Sequence, residues 1–174
     1  AHSDLDHFFI IDEINRGNLS KIFGELFMLI ETDKREKVKL QLLYSDEKFS
    51  VPNNIYIIGM MNTADRSLAM LDYALRRRFA FYEMKPGFES EKFIEYRMNL
   101  NNPKFDRLIN TVESLNNAIA SDDALGDGFK IGHSYFCNIK EITDARLSNI
   151  VEYELIPMIK EYWFDEPAKV KDWS

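Results

Sequence analysis

The sequence predicts an α/β layer structure with a parallel sheet over residues 1–86, followed by a small helical subdomain over residues 87–174. Three observations carry this. Phe8-Phe9-Ile10-Ile11 and residues 55–60 are continuous apolar runs, the pattern of parallel strands buried on both faces. Between them, Leu19, Ile22, Phe23, Leu26, Phe27 and Ile30 recur at the spacing of one helix face. Beyond Pro86-Gly87 no strand signal of similar strength recurs, and helical patterns take over.

Each element follows in order. The start, residues 1–7, is polar and shows no signal-peptide pattern. The first strand, residues 8–11, ends in Asp12-Glu13. Asn18 stands where an N-cap belongs, ahead of a helix over 19–30. Residues 31–37 form a charged turn. Residues 38–44 and 48–51 read as two short strands around Ser45-Asp46-Glu47, a hairpin. The second apolar strand, 55–60, leads into Asn62-Thr63-Ala64-Asp65. A helix is expected over 67–78, with Leu68, Leu71 and Leu75 in step, and a third short strand over 79–84. In the second part, helices are expected over 88–100, 104–120 and 143–163, and 122–132 is a polar, glycine-containing loop.

Composition narrows the function classes. With 22 Lys+Arg against 29 Asp+Glu, the net charge is −7, which argues against bulk non-specific binding to nucleic acid. No apolar run approaches the ~18 residues of a membrane span. The single cysteine, Cys137, excludes an internal disulfide framework and fits a reducing, cytoplasmic setting.

The chemistry-bearing residues sit past strand ends, where open α/β sheets place ligands. An apolar strand ending in Asp12-Glu13 is the arrangement a Walker B strand requires. The first carboxylate serves Mg²⁺, directly or through water, and the second polarises an attacking water. The alternative is a strand end reaching solvent. Asn62 offers an amide beside those carboxylates, able to orient a water or a γ-phosphate oxygen. The alternative is an Asx-type turn cap. Arg76-Arg77-Arg78 can either complement a helix macrodipole or act as an arginine finger in a neighbouring subunit.

Together these segments are more specific than any one of them. Residues 8–18, with Asp12-Glu13-Ile14-Asn15-Arg16, resemble the Walker B segment of the McrB family of AAA+ proteins, the GTP-driven subunits of modified-cytosine-dependent restriction systems. Met61-Asn62-Thr63-Ala64-Asp65-Arg66-Ser67 resembles the family's signature segment. Asp72-Tyr73-Ala74-Leu75-Arg76-Arg77-Arg78-Phe79 resembles its arginine-finger segment. Ile131-Gly132-His133-Ser134-Tyr135-Phe136 and Glu161-Tyr162-Trp163-Phe164 resemble its helical lid. The resemblance covers nearly the whole chain.

The resemblance implies an AAA+ P-loop NTPase-type sheet and roles for matching positions. Asp12 would hold Mg²⁺ and Glu13 would activate water. Asn62 would sense the γ-phosphate of GTP or ATP, with Asp65 supporting its loop. Arg77 and Arg78 would act in trans, and Arg16 is an interface candidate. The hairpin matches the insertion ahead of sensor 1 in this branch, and its other reading is a solvated pad on the sheet. The family also implies a homo-oligomeric ring, expected as a hexamer, a McrC-like nuclease partner, and DNA bound through a separate domain. Two other readings stay open: a MoxR-like ATPase chaperone, and a non-catalytic assembly module.

No G-x-x-x-x-G-K-[ST] occurs in the 174 residues. The backbone nest and lysine that hold phosphates are therefore expected upstream of residue 1. The chain reads as a C-terminal portion, inactive alone, with exposed sheet edges that favour association. The lid lacks the arginine many AAA+ relatives carry there. His133 stands in that region, either as a nucleotide contact or as a structural histidine. Ser134 and Cys137 lack a paired base, and no Cys/His cluster has zinc spacing.

Overall fold

The computed structural model of the chain describes residues 4–62, 64, 76–139 and 141–173. The chain divides into two compact units, Ala1–Tyr82 and Glu83–Ser174, so the division falls slightly ahead of Pro86-Gly87.

In the first unit, β1 (His7–Ile11) pairs in parallel with β4 (Ile55–Gly59), in a register running from His7↔Ile55 to Ile11↔Gly59. Both apolar runs do form strands, yet they are not buried. Phe8, Phe9, Ile10, Tyr56 and Ile58 are all exposed, Phe8 by 64%. Among the described residues the parallel sheet has two strands, and two strands without a covering layer cannot bury both faces. A short antiparallel pair, β2 (Leu40–Gln41) and β3 (Lys48–Phe49), forms the hairpin. It is shorter than expected because Leu43 and Tyr44 extend into solvent with no face to pack on.

The helix expected over 19–30 is α-helical only in α1 (Leu19–Phe23). Asn18 caps it, its Oδ1 accepting from Lys21 N–H at 2.9 Å. Gly24 then takes a left-handed backbone (φ +51°), and residues Gly24–Ile30 continue as a 3₁₀ helix. An α-helix cannot pass through that conformation, which glycine alone adopts without steric cost. The tighter winding buries Leu29 together with Phe27, while Ile22, on the expected apolar face, is exposed.

Of the helix expected over 67–78, only 76–78 lie within the described residues: Arg76 is helical, and Arg77 and Arg78 form a turn. The third strand expected over 79–84 does not form. Phe81, Tyr82 and Met84 are exposed in irregular chain, where no described backbone runs alongside to complete a ladder.

The second unit is helical. A 3₁₀ turn (Gly87–Glu89) precedes α2 (Glu91–Leu100), and Ser90 separates them by capping α2 through Phe93 N–H. Helix α3 (Pro103–Ala120) has proline in its first turn and Asn102 as cap, its Oδ1 accepting from Lys104 and Phe105 N–H. Phe105, Ile109, Val112, Leu115 and Ile119 form its buried stripe. Asn116 is buried beside them. Its Oδ1 accepts from Ile131 N–H at 2.6 Å and its Nδ2 donates to Ile131 O at 2.9 Å, so both polar ends are satisfied.

The helix expected over 143–163 is interrupted. It runs as α4 (Asp144–Asn149), a π segment (Ile150–Leu155) and α5 (Ile156–Tyr162). Pro157 is the cause: it lacks an N–H and its ring crowds the carbonyl one turn back, so the preceding turn widens. A further helix, α6 (Pro167–Asp172), lies beyond the elements expected from the sequence.

Asp122 fastens α6. Its Oδ2 accepts from Lys169 Nζ at 2.7 Å and from Trp163 Nε1 at 2.8 Å, and its Oδ1 accepts from Ala124 N–H. The Lys169 bond first, then those from Trp163 and Ala124, hold its carboxyl at about 2 rather than 3.8. A carboxylate lowered by folding stabilises fully above its unfolded value and loses that contribution as pH falls through the folded value. The melting temperature of the chain is therefore expected to drop between about pH 4 and pH 2, and Asp122→Asn to flatten that limb while lowering the neutral-pH value. Thermal melts of both proteins across this range check it.

Candidate functional site

The parallel register decides where the site lies. Because Ile11 stands beside Gly59, the residues that follow each strand leave from one sheet edge. The ladder continues past both strands: Met60 N–H donates to Ile11 O at 2.8 Å, and Ile14 N–H to Met60 O at 2.9 Å. Asp12-Glu13 and Met61-Asn62 are thereby carried on adjacent backbones. Ile14 is buried, and the approach depends on Gly59: a Cβ there would stand 2.5 Å from Ile14 Cδ1.

Between Ile11 and Ile14 the chain turns sharply. Glu13 has a left-handed backbone (φ +48°), uncommon for a non-glycine residue and frequent where function dictates geometry. Asp12 Oδ1 accepts from Glu13 N–H at 2.9 Å, which sets the turn. Glu13 Oε2 pairs with Arg16 Nε at 2.8 Å, and both side chains are about half exposed. So placed, the pair is screened by solvent and readily exchanged. Next to them, Asn15 Oδ1 is enclosed and accepts no hydrogen bond among the described residues. The sequence reading assigned Asn15 no role, and its signal is an amide two residues past the acidic pair.

Asn62 is exposed, and its Oδ1 accepts from Ala64 N–H at 3.0 Å. This is an Asx-type arrangement, in which the oxygen is engaged by the loop backbone while the amide carries two further donors on Nδ2. Asp65, expected to support that loop, lies outside the described residues.

The arginine run is not uniform. Arg77 is exposed. Arg76 places its guanidinium carbon 5.9 Å from the Phe81 ring centre. Arg78 is partly buried on Glu31, its Nε and Nη2 reaching Oε1 at 2.7 and 2.6 Å, and its guanidinium carbon lies 5.4 Å from the Phe27 ring centre. Lys34 Nζ takes the other Glu31 oxygen at 2.7 Å. Lys34 first, and Arg78 with it, hold the Glu31 carboxyl below the ordinary carboxylate range. Arg35 Nε donates to Ile30 O and its Nη1 to Ile55 O, the first residue of β4. Residues 31–37, read from the sequence as a charged turn, thus carry side chains that fasten both β4 and the arginine run.

In the second unit, His133 Nδ1 accepts from Gly87 N–H at 2.9 Å, and its ring packs edge-on against Phe88 and Phe93. It serves as a structural histidine there. Burial raises the Cys137 thiol, which favours the protonated, unreactive form. Among the described residues no group of three or more His, Cys, Asp or Glu is placed to hold a metal, and no helix is long and apolar enough to cross a membrane.

Comparison with known proteins follows the same division. The family described as "AAA domain (dynein-related subfamily)" matches residues 5–79, within the first unit. The family described as "McrB, alpha-helical lid domain" matches residues 107–171, within the second. The chain is 48% identical over 179 residues to the "Type IV methyl-directed restriction enzyme EcoKMcrB subunit" of Escherichia coli (strain K12), covering 97% of this chain and 39% of that protein. It is 32% identical over 85 residues to the "Type II restriction enzyme BsuMI component YdiS" of Bacillus subtilis (strain 168), covering 41% of this chain and 25% of that protein. The chain thus spans well under half the length of both relatives. An AAA-domain match over the unit that carries Asp12-Glu13 and Asn62, a lid match over the helical unit, and near-complete alignment with one restriction subunit agree: the chain belongs to the McrB family of AAA+ proteins.

Proposed function

We propose that the chain supplies half of a nucleotide-hydrolysis site in a McrB-like motor that uses GTP, or ATP, to power a DNA restriction complex. The observation that carries this is the register of β1 and β4, which sets an acidic pair and an amide-bearing loop on neighbouring backbones at one sheet edge. The printed names of both relatives, each a component of a restriction enzyme, support the restriction role.

Asp12 and Glu13 offer only hard oxygen donors, the type Mg²⁺ takes, and one carboxylate suits an ion that keeps most of its waters. Mg²⁺ bound there would neutralise charge on the phosphates. Asp12 would hold it, with one oxygen already fixed by Glu13 N–H. Glu13, exchanging its partner Arg16, would take a proton from the attacking water. Asn62 would donate from Nδ2 to a γ-phosphate oxygen, with Asp65 steadying the loop. From the arginine run, Arg77 would reach the neighbouring subunit's nucleotide in a hexameric ring, with Arg16 at the same interface. A McrC-like nuclease and a separate DNA-binding domain would complete the machine.

Phosphate binding needs a glycine-rich loop with a lysine, and these 174 residues contain none. We place that loop upstream in the native protein. The test compares GTP with ATP turnover by the native protein carrying that loop, and by the 174-residue chain alone. Preferential GTP turnover by the former and none by the latter is expected. Strict ATP use would favour a MoxR-like chaperone, and absence of turnover in both would leave only an assembly module.

A further inference from the structure

We infer that Glu31 is a positioning residue for the arginine run: it fastens Arg78 within its own subunit, so that Arg77 rather than Arg78 is presented to a neighbour. The inference rests on the hydrolase reading above and divides the roles of two arginines that the sequence treats alike.

The geometry is specific. Glu31 follows the 3₁₀ segment directly and lies 47 residues ahead of Arg78. Two guanidinium nitrogens of Arg78 converge on one carboxylate oxygen, and Lys34 occupies the other. The carbon of the same guanidinium lies over the ring of Phe27, which is buried. The Arg78 and Glu31 side chains are only 21% and 25% exposed, so water competes less here than at the Glu13–Arg16 pair. A guanidinium committed to a carboxylate and a ring of its own subunit has few donors left for phosphate oxygens elsewhere.

The next residue strengthens the hold. Phe79 packs on the small cluster of Ile14 and Phe27. Arg78 and Phe79 therefore pin the chain directly after Arg77, against Phe27 and against Ile14, the residue that follows the Asp12-Glu13 turn. An arginine finger stabilises transition-state charge only when held close to its working geometry, and small misplacement costs heavily. Glu31 supplies that hold through Arg78.

The experiment uses the full hydrolysing protein and reads kcat and KM for nucleotide. Glu31→Gln is expected to lower kcat about tenfold with KM unchanged, the signature of lost positioning rather than lost binding. Arg78→Lys, which keeps a cation for Glu31, is expected to stay within about threefold of the parent, whereas Arg77→Lys loses about a hundredfold or more because lysine cannot reproduce the guanidinium fork. An unchanged kcat in Glu31→Gln, or equal damage from Arg78→Lys and Arg77→Lys, overturns the inference. Should Glu31→Gln fail to fold, the comparison of the two lysine variants decides. Glu13→Gln serves as the control: if it leaves hydrolysis intact, the hydrolase reading itself fails, which is a different outcome from either of those.

Discussion

Arg77→Ala is expected to cut nucleotide turnover by the assembled protein by roughly a thousandfold or more, the range associated with losing an arginine finger. The chain itself should keep its fold, because Arg77 is exposed and surface substitutions typically change stability by about 0.5 kcal/mol or less. Glu13→Gln is expected to be comparably inactive, since an amide cannot accept the proton of the attacking water. The two defects should complement. A subunit with Arg77→Ala keeps Asp12-Glu13, and one with Glu13→Gln keeps its arginines. Mixing them creates interfaces in which an intact acidic pair meets an intact Arg77, and part of the turnover should return. Recovery on mixing is the outcome that assigns Arg77 to the neighbour's site. Two inactive proteins that stay inactive when mixed would place Arg77 and Glu13 in the same subunit's chemistry and contradict action in trans.

Phe105→Ala is expected to destabilise the helical unit by about 3–5 kcal/mol, enough to unfold a marginal domain. Phe105 is fully buried at the start of α3, packs edge-on against Tyr96, and sits in the cluster formed with Ile109, Phe136, Ile150 and Trp163. Truncation removes the ring from water-excluded packing and leaves a cavity that helices anchored by Asn102 and Asn116 cannot readily close. Both tryptophans of the chain, Trp163 and Trp173, lie in this unit, so their fluorescence in a urea titration reports on it alone. The midpoint should fall sharply with Phe105→Ala. Phe8→Ala, at an aromatic side chain already mostly exposed on β1, should leave the same signal unmoved. A large shift from Phe8→Ala would mean that the two units unfold as one.

Much of the site was legible in the sequence because its residues directly follow strongly patterned strands. The apolar runs ending in Asp12-Glu13 and leading to Asn62 identified both segments, and parallel pairing is the only way to bring those two ends to one edge. Asn18 as a cap and the stripe of Phe105, Ile109, Val112, Leu115 and Ile119 were equally readable, since capping and helical spacing act within a few residues. Gly24 and Pro157 stand in the sequence, but the apolar spacing around them does not register their effect. One ended the α-helix in a left-handed turn, and the other widened a helix into a π segment. The strand expected over 79–84 shows the converse. Its residues suit a strand, but a strand exists only where another backbone offers hydrogen bonds.

The sequence by itself determined the kind of elements, the residues at the strand ends and the family to which they belong, because those depend on local periodicity and on motifs read in order. Tertiary structure alone decided which charges are already engaged. Glu31 meets Arg78 across 47 residues, and Asp122 meets Lys169 across another 47. No spacing rule links such pairs, since they are brought together only when the chain returns on itself. That is why three consecutive arginines look equivalent in the sequence, while in the folded unit one is fastened to a carboxylate and its neighbour faces solvent.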